Sequence, residues 1–329
     1  MSAPQLAIVV DTEEEFDWSK PFSRAARSTT AISAQALAHA LYDRFGVVPT
    51  YVIDYPVATD PLSIDVLGGL AARGEAEIGA HLHPWVTPPN DELVSTHNSY
   101  HCNLPPERER AKIISLTEAI THHFGRRPTI FKAGRYGFGA NTQAALIEQG
   151  YAIDTSFVPH VNFGGDGGPS YIGAPDQPFW LDREAGLFEV PLTSGFIGLA
   201  AGFGPQIAPL FDHRAALALR MPGALAKLGL VARSRLTPEG VSANEQCRLI
   251  KAMVARGRRV FVLTYHSPSL AVGHTPYVRS QAELDAFLGR IETVLRFFQR
   301  DIGGTFTTLT ALRDQFLAAS APPNAAGAS

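Results

Sequence analysis

The feature that most constrains the fold lies near the start of the chain, in residues 6–18. It begins with five consecutive apolar residues, three of them β-branched, which is typical of a strand buried on both faces. The run leads directly into four acids, Asp11, Glu13, Glu14 and Glu15. Side chains alternate along a strand, so Asp11 and Glu13 point the same way. Because the carboxyl ends of parallel strands are where α/β proteins bind ligands, these two acids are candidates for holding one ion or one substrate.

Strand-like and helix-like segments alternate along the rest of the chain. Apolar residues recur at helical spacing in residues 32–45, 61–73, 107–124, 142–149, 243–256 and 281–300. Runs typical of strands occupy residues 47–55, 77–83, 129–133, 151–156, 187–191, 259–265 and 304–308. This alternation predicts parallel βα units, and about seven or eight of them suit a barrel better than an open sheet. The glycines of residues 134–139 lack the spacing of a dinucleotide-binding motif.

Length and composition favour one α/β domain. The chain has 329 residues, 45% of them hydrophobic, which is enough for a large core. We expect this single domain to span residues 1–317, with loop insertions near residues 84–106 and 195–240. The tail at residues 318–329 consists of Ala, Pro, Gly, Ser and Asn, and its composition predicts disorder.

Charge and hydropathy argue against several functional classes. The net charge is −3 and the basic residues are scattered, so we expect no nucleic-acid partner. The sequence has no apolar run of about 18 residues and no N-terminal signal pattern, so we expect no membrane span. Cys102 and Cys247 lie far apart; they fit a reduced compartment, and a single disulfide is also compatible with them. These features together predict a cytoplasmic protein.

Chemically capable residues end most of the predicted strands. In a βα barrel the strand ends form one rim, so residues distant in sequence meet in one pocket. Core packing does not explain so many polar strand ends, and we therefore expect an active site there. The rim residues are Asp11, Glu13, Asp54, His81, His83, Lys132, Arg135, Asp154 and His266.

His81 and His83 lie two positions apart at a strand end and face the same side. With Asp11 or Glu13 they make a candidate site of two histidines and one carboxylate for Zn²⁺ or another divalent ion. Such an ion would acidify a bound water, and a nearby carboxylate could take the proton. The alternative for His83 is that it packs the following loop together with Pro84 and Trp85.

Two further rim residues have alternative roles. His266 could deliver a proton to a leaving group, with Asp154 as the carboxylate that keeps it protonated. Arg135 could hold a carboxylate in its charged form or stabilise an oxyanion, and a structural salt bridge is the alternative. We expect Asp11, Glu13, His81, Arg135 and His266 to surround one cleft.

Four motifs occur in an order that resembles the polysaccharide deacetylase (NodB-homology, carbohydrate esterase) family. They are Asp-Thr-Glu at residues 11–13, Glu-Ile-Gly-Ala-His at 77–81, Phe-Lys-Ala-Gly-Arg-Tyr-Gly at 131–137 and Thr-Tyr-His-Ser-Pro-Ser-Leu at 264–270. The resemblance covers residues 5–310 and is greatest to the branch associated with bacterial exopolysaccharide synthesis. It implies a distorted (β/α) barrel and metal-dependent hydrolysis of N- or O-acetyl groups on sugars.

The same resemblance implies roles for single residues. Asp11 resembles the family's general base, and Glu13 resembles its carboxylate ligand to the metal. His81 matches the first metal histidine and His266 the general acid. Arg135 resembles the residue that orients the base, and Asp154 stands where the family's fourth motif places an acid.

The sequence departs from the family pattern at two points. The usual adjacent pair of aspartates is here Asp11-Thr-Glu13, with a longer side chain one position later. The second metal histidine of the family lies four residues after the first, and Trp85 occupies that position here. His83 could replace it because it faces the same way as His81; His97 and His101 are the alternatives.

These observations predict a metal-dependent deacetylase that acts on an acetylated saccharide or sugar precursor, with Asp11 as base and His266 as acid. A second hypothesis is a hydrolase of small cyclic amides, similar to allantoinase. A third is an inactive barrel that binds carbohydrate or serves as a scaffold in polysaccharide assembly. The intact Asp11 and His266 argue against the third, and Trp85 argues for it.

Overall fold

A curled, mostly parallel β-sheet forms the centre of the molecule, as a computed structural model that describes residues 3–320 shows. Its strands are β1 (Gln5–Thr12), β2 (Thr50–Ile53), β3 (Glu77–Leu82), β4 (Ile130–Ala133), β5 (Ile153–Asp154), β6 (Phe179–Asp182), β7 (Leu187–Glu189), β10 (Val260–His266) and β11 (Thr305–Phe306). The order across the sheet is β10-β1-β2-β3-β4-β5-β7-β6, with β11 paired to the start of β1. Only β6 pairs antiparallel in this sheet. The predicted distorted barrel is therefore confirmed, with eight parallel strands.

Helices alternate with these strands, as the periodicity predicts. They are α1 (Gln35–Phe45), α2 (Tyr55–Thr59), α3 (Pro61–Ala72), α4 (Pro106–Phe124), α5 (Ala140–Glu148), α9 (Ala243–Ala255), α10 (Gln281–Arg300) and α11 (Leu309–Ser320). Side-chain caps begin several of them: Asp60 accepts from the Ser63 amide, and Ser280 accepts from the Glu283 amide. Helix α11 was not predicted and extends to Ser320, past the predicted domain boundary at residue 317. The rest of the predicted tail lies outside the described residues.

The alternation of side chains along β1 divides the core into two apolar layers. Leu6, Ile8 and Val10 pack in the layer between the sheet and the outer helices. Ala7 and Val9 point into the barrel interior, where they meet apolar residues of β2, β4, β5, β10 and α11. All five side chains are at most 1% exposed, so the strand is buried on both faces as predicted.

The chain between β7 and β10 spans the gap in the curled sheet. The Leu192 amide donates to the Phe157 carbonyl, and the Val262 amide donates to the Thr193 hydroxyl at 2.8 Å. The amide of Thr264 donates to the Leu236 carbonyl. Residues 190–193 and 236 therefore connect the β5–β7 side of the barrel to β10.

The predicted insertion at residues 195–240 is an antiparallel hairpin with short helices at its tip. Its strands are β8 (Ser194–Ile197) and β9 (Ala232–Arg235), and its helices are α6 (Gly204–Ile207), α7 (Arg214–Ala218) and α8 (Met221–Lys227). Both strands pack against α9. In the described chain, each helix is too short or too polar to cross a lipid bilayer. Cys102 and Cys247 are both free thiols.

Candidate active site

The strand register explains which polar residues share the barrel interior. Neighbouring residues in a parallel sheet point to the same side, and on β1 the interior side holds Ala7 and Val9. Asp11 continues that row, and its neighbour across β10 is His266. On β3 and β4, His81 pairs with Lys132 in the same orientation. These four side chains therefore extend the interior face beyond its apolar part.

The interior opens at this end into a pocket of about 400 Å³. It contains five predicted site residues, Asp11, Glu13, His81, Arg135 and His266, together with His83. The expectation that these residues surround one cleft at the carboxyl ends of the strands agrees with this geometry. Aromatic side chains form much of the remaining wall: Phe16, Trp18, Phe22, Trp85, Tyr100, Tyr136, Phe163 and Tyr277.

Glu13, His81 and His83 form a cluster that could hold a metal ion. The Glu13 Oε2 atom lies 3.6 Å from His81 Nε2 and 3.4 Å from His83 Nε2, and the three ligand atoms lie within 4.8 Å of one another. All three side chains are buried. Two histidines and one carboxylate leave positions free for water and substrate, as in catalytic zinc sites.

The charge state of this cluster fits a divalent cation. Burial lowers the pKa of His83 and lowers that of His81 well below its usual value, so both rings stay neutral with a lone pair to donate. Burial also raises the pKa of Glu13 to about 7, although the charges of His266 and His83 partly oppose this shift. The buried Glu13 Oε1 atom has no hydrogen-bond partner within residues 3–320. A metal ion would satisfy this oxygen, so the donor set fits such an ion.

Hydrogen bonds on the far side of each ring orient the two histidines. The His81 Nδ1 atom donates to the Lys132 carbonyl at 3.1 Å, which leaves Nε2 as the acceptor facing Glu13. The His83 Nδ1 atom lies 2.7 Å from Glu14 Oε2. Trp85, at the family's histidine position, donates its indole N–H to the other Glu14 oxygen at 2.6 Å. Through Glu14, Trp85 therefore helps to hold His83, the candidate for the missing ligand position.

The alternative ligands His97 and His101 lie elsewhere. Fully buried His101 bonds Glu109 at 2.8 Å through Nδ1, and exposed His97 faces Asn98 at 3.3 Å. Neither lines the pocket. Among the residues we considered for the missing position, His83 alone joins His81 and Glu13 in one cluster within the described chain.

Asp11 is held by a lysine that the motif comparison did not assign. The Lys132 ammonium lies 2.5 Å from Asp11 Oδ1 and donates to the Thr264 hydroxyl at 3.0 Å. Lys132 is fully buried, and its pairing with Asp11 leaves neither charged group without a partner inside the barrel. In the sequence, the feature that could have indicated this role is the position of Lys132 at a strand end, within the motif that also contains Arg135.

Arg135 lies in the pocket wall but does not contact Asp11 directly. Its guanidinium donates to the Ser99 hydroxyl at 2.6 Å, and its centre lies 4.2 Å from the Tyr100 ring centroid. A longer contact of 3.3 Å reaches the exposed carboxylate of Asp166. The residue that orients Asp11 is therefore Lys132, and Arg135 instead faces the space where a substrate would bind.

His266 is paired with Glu239, and the expected pairing with Asp154 is wrong. The His266 Nδ1 atom lies 2.8 Å from Glu239 Oε2, and its Nε2 atom lies 3.8 Å from Asp11 Oδ2. Burial by itself would lower the pKa of His266, but the carboxylates of Glu239, Glu13 and Asp11 outweigh burial and raise this pKa well above its usual value. Glu239 lies in the loop after β9, where no strand-end pattern marked it.

Asp154 points to the opposite side of the sheet. Its neighbour Ile153 faces the interior, so Asp154 faces the helix side together with Phe131, its partner on β4. There it bonds the Ser156 hydroxyl at 2.7 Å and pairs across the strands with Glu189. The alternation along β5 thus removes Asp154 from the pocket.

Trp18 and Tyr277 enclose His266 on the pocket side. The Trp18 ring meets the His266 ring edge-on with centroids 5.0 Å apart, and Tyr277 contacts Trp18 at 5.9 Å. These aromatic rings exclude water from one side of the histidine, and the His266 Nε2 atom still faces Asp11. The arrangement supports proton transfer between a base on β1 and an acid on β10 across one reacting group.

Comparison with known proteins identifies the fold. A protein from Mycobacterium smegmatis classed as a polysaccharide deacetylase superposes with a TM-score of 0.54 at 15% identity, over 100% of this chain and 96% of that one. Puue allantoinase superposes with a TM-score of 0.55 at 13% sequence identity, over 97% of this chain and 92% of that one. A Pseudomonas aeruginosa PAO1 protein classed as a polysaccharide deacetylase superposes with a TM-score of 0.53 at 13% sequence identity, over 96% of this chain and 91% of that one. No protein-family model and no curated protein matches the chain. The chain has the fold of the polysaccharide deacetylases, which confirms the resemblance at the level of fold.

Proposed function

We propose that this protein is a metal-dependent hydrolase that removes acetyl groups from a saccharide or a sugar precursor. The observation that carries the proposal is a single pocket that contains a buried cluster of two histidines and one carboxylate. On either side of this cluster lie Asp11, paired with Lys132, and His266, paired with Glu239. The motif resemblance supports a bacterial exopolysaccharide, or a precursor of one, as the source of the saccharide. Zn²⁺ is the metal that this ligand set suits best.

Glu13, His81 and His83 would hold the ion. When bound, the ion would supply Lewis-acid activation of water and of the acetyl carbonyl. The protein's own groups then have two proton-transfer tasks. Asp11 accepts the proton of the attacking water, and the ion pair with Lys132 holds this carboxylate in place.

His266 performs the second transfer. It gives its proton to the nitrogen or oxygen that leaves the acetyl carbon as the carbon–nitrogen or carbon–oxygen bond breaks. Glu239 holds the imidazole by its Nδ1 atom, which leaves the Nε2 proton directed into the pocket. The products are acetate and the free amine or hydroxyl of the sugar. The aromatic wall of the pocket offers stacking surfaces for the sugar ring.

Acetate release tests the proposal. Purified protein is stripped with a chelator, reloaded with Zn²⁺, and incubated with N-acetylated chitooligosaccharides and O-acetylated xylooligosaccharides. We expect bound metal near one ion per chain, acetate release only after reloading, and loss of both in Glu13→Gln. Asp11→Asn should keep the metal and lose the activity. The exposed Asp91→Asn serves as a matched control.

Two results would contradict the proposal. The first is a protein that binds no divalent ion at micromolar concentration, since the ligand set would then have another purpose. The second is hydrolysis of allantoin without acetate release from either saccharide, which would assign the pocket to cyclic amides.

A further inference from the structure

The insertion between β8 and β9 exposes a concentration of large apolar side chains. Within residues 3–320, 13 large apolar residues are exposed, and seven of them fall in residues 199–230. We call these seven the insertion surface: Leu199, Phe203, Leu210, Leu217, Leu219, Leu228 and Leu230. Leu199 is 89% exposed and Leu219 is 79% exposed. Scattered exposed leucines are ordinary, but a set concentrated in one segment marks an interaction site.

The short helices of the insertion leave their apolar residues in solvent. Helix α7 buries only Ala216, and α8 contains no fully buried residue. Helices of this length are not stable in water by themselves, so they normally depend on burying one face. Here the hairpin core fully buries Phe196, Ala201, Ala208, Phe211 and Val231, and Ile207 and Leu225 of the short helices pack against it in part.

Backbone contacts bring the members of the insertion surface together. The Leu199 amide donates to the Gly229 carbonyl at 3.0 Å, so Leu199 lies beside the segment that contains Leu228 and Leu230. Helix α7 packs against α8, and both pack against residues 208–211, which include Leu210. The exposed leucines thus occupy one compact part of the molecule, at the tip of the hairpin.

The charges around the insertion surface are almost all positive. Asp212 is the one acid in residues 199–232, and both of its carboxylate oxygens bond Arg233, at 2.6 and 2.7 Å. Arg214, Arg220 and Lys227 are exposed, and no side chain in the described part of the chain pairs with them. Next to Leu199, the basic residues Arg248 and Lys251 of α9 line the same shallow surface.

We propose that the insertion surface docks this protein onto an anionic lipid bilayer. Apolar side chains on short helices enter the boundary between headgroups and acyl chains, and unpaired basic side chains attract anionic headgroups. A protein partner would need an acid placed opposite each of these separate cations, whereas anionic headgroups supply negative charge over the whole of a bilayer surface. Asp212, the one acid in residues 199–232, is paired with Arg233, so this segment presents no unpaired acid that a negative membrane surface would repel.

The same hairpin connects the docking surface to the pocket. At one end, Ser194 pairs with Arg235, which lines the pocket; at the other, Ile197 pairs with Ala232 beside the insertion surface. Three residue steps along a strand correspond to about 10 Å. A bilayer that covers the insertion surface therefore lies within reach of a saccharide bound in the pocket. The proposal does not depend on the reaction assigned above.

Vesicle co-sedimentation of the full chain tests the docking. We expect binding to vesicles of phosphatidylcholine with about 30% phosphatidylglycerol and little binding to phosphatidylcholine alone, and we expect 0.5 M NaCl to weaken it. Replacing Arg214, Arg220 and Lys227 by Gln should weaken binding roughly 100-fold, because each basic residue near an anionic surface contributes about a fivefold change. The double variant Leu219→Ser/Leu228→Ser should also lose binding.

Matched controls separate the surface from general charge and apolarity. Arg183→Gln removes an exposed arginine elsewhere, and Leu93→Ser removes a leucine that is 77% exposed outside the insertion. Both should bind vesicles like the unmodified chain. All variants change exposed residues, so their thermal unfolding and their hydrolysis of a water-soluble substrate should stay unchanged.

Three results would overturn the proposal. Failure of the unmodified chain to sediment with anionic vesicles is the first, and equal binding by the Gln triple variant is the second. The third is a concentration-dependent dimer, seen by light scattering and abolished by Leu219→Ser/Leu228→Ser, because a second copy of the chain would then cover the surface.

Discussion

Lys132 and Arg258 are both buried almost completely, and they permit a matched pair of substitutions. Lys132→Met leaves the Asp11 carboxylate buried without its ion pair, so we expect a loss of about 3–5 kcal/mol in the free energy of unfolding. Because Lys132 no longer holds the Asp11 carboxylate in position, kcat should also fall about 100-fold or more. Arg258 bonds the Val260 carbonyl at the opposite end of β10. Arg258→Met should lower stability while leaving kcat per folded molecule within about threefold. Urea unfolding and acetate release measure the two effects; equal kcat in both variants would contradict the role of Lys132.

His266 should be needed most when the leaving group is poor. His266→Ala removes the proton donor, so kcat for an amide substrate should fall by roughly 10²–10⁴-fold. An aryl ester leaves without full protonation and should lose much less. The residue lies at the rim of the barrel, so folding should remain largely intact. Comparing kcat for an N-acetyl sugar and an aryl acetate tests this expectation, and the same loss on both would indicate a structural histidine.

The pairing of His266 with Glu239 predicts a shift in pH dependence. Burial opposes protonation of His266, but Glu239, Glu13 and Asp11 raise its pKa well above the usual value. Since the acid must be protonated, activity falls only when the pH rises through this raised pKa. Glu239→Gln removes the nearest carboxylate and lowers the pKa, so the alkaline limb of kcat/KM should move to lower pH. The exposed Glu184→Gln should leave the profile in place; an unmoved limb in Glu239→Gln would exclude Glu239 as the partner that sets it.

At the scale of elements, the close contact between the ends of β3 and β4 positions the metal ligands. A Cβ atom on Gly134, just after β4, would lie 2.3 Å from the Leu82 carbonyl oxygen and 2.6 Å from His83 Cδ2. Gly134→Ala must therefore displace the end of β3, and we expect metal affinity to fall at least tenfold. Gly289→Ala, in helix α10 with open space around its Cβ, should leave affinity unchanged and raise stability by up to about 1 kcal/mol. Titration with a competing metal indicator gives both affinities, and an unchanged value for Gly134→Ala would mean that the strand end does not fix His83.

The contact between β5 and β7 contains two acids on the helix side of the sheet, Asp154 and Glu189. Burial raises the pKa of Asp154, and burial together with Asp154 raises that of Glu189 well above its usual value. The folded protein therefore holds more protons than the unfolded one once the pH exceeds about 4, and its stability declines as pH rises further. Glu189→Gln keeps an acceptor for the Phe157 amide and removes one of the charges. We expect its urea midpoint at pH 8 to exceed that of the unmodified chain and to change less between pH 5 and 8. Parallel pH profiles for the two proteins would show that the pair does not ionise in this range.

For the molecule as a whole, the periodicity of apolar residues predicted the repeating units of the fold, in which a parallel strand is followed by a helix. The buried run in β1 and the alternation of strands with helices were sufficient to predict a barrel, because each parallel strand needs a helix to return the chain. The edge strand β6, the hairpin β8–β9 and helix α11 were not predicted. Their apolar faces are short or contact only a few partners, so their sequences carry little periodicity.

The site was predictable where it lies on long strands. Asp11, His81 and His266 end strands whose alternation is clear, and the pocket contains all three. Asp154 was misplaced because β5 has only two residues, although the apolar Ile153 before it already indicated which side faces the interior. Glu239 follows the hairpin in a loop, and its distance from His266 depends on how residues 190–193 and 236 close the barrel. Local sequence patterns contain no information on that closure.

The position of β1 between β2 and β10 also affects how the protein is made. β1 pairs on one side with β2 and on the other with β10, whose residue His266 lies beside Asp11. The ribosome synthesises β10 about 250 residues later, which at 5–20 residues per second takes roughly 10–50 s. During that interval a strand with five consecutive apolar residues has one open edge, which can pair with other nascent chains. Cellular yield should therefore depend on chaperone capacity and translation speed more than on the stability of the finished barrel.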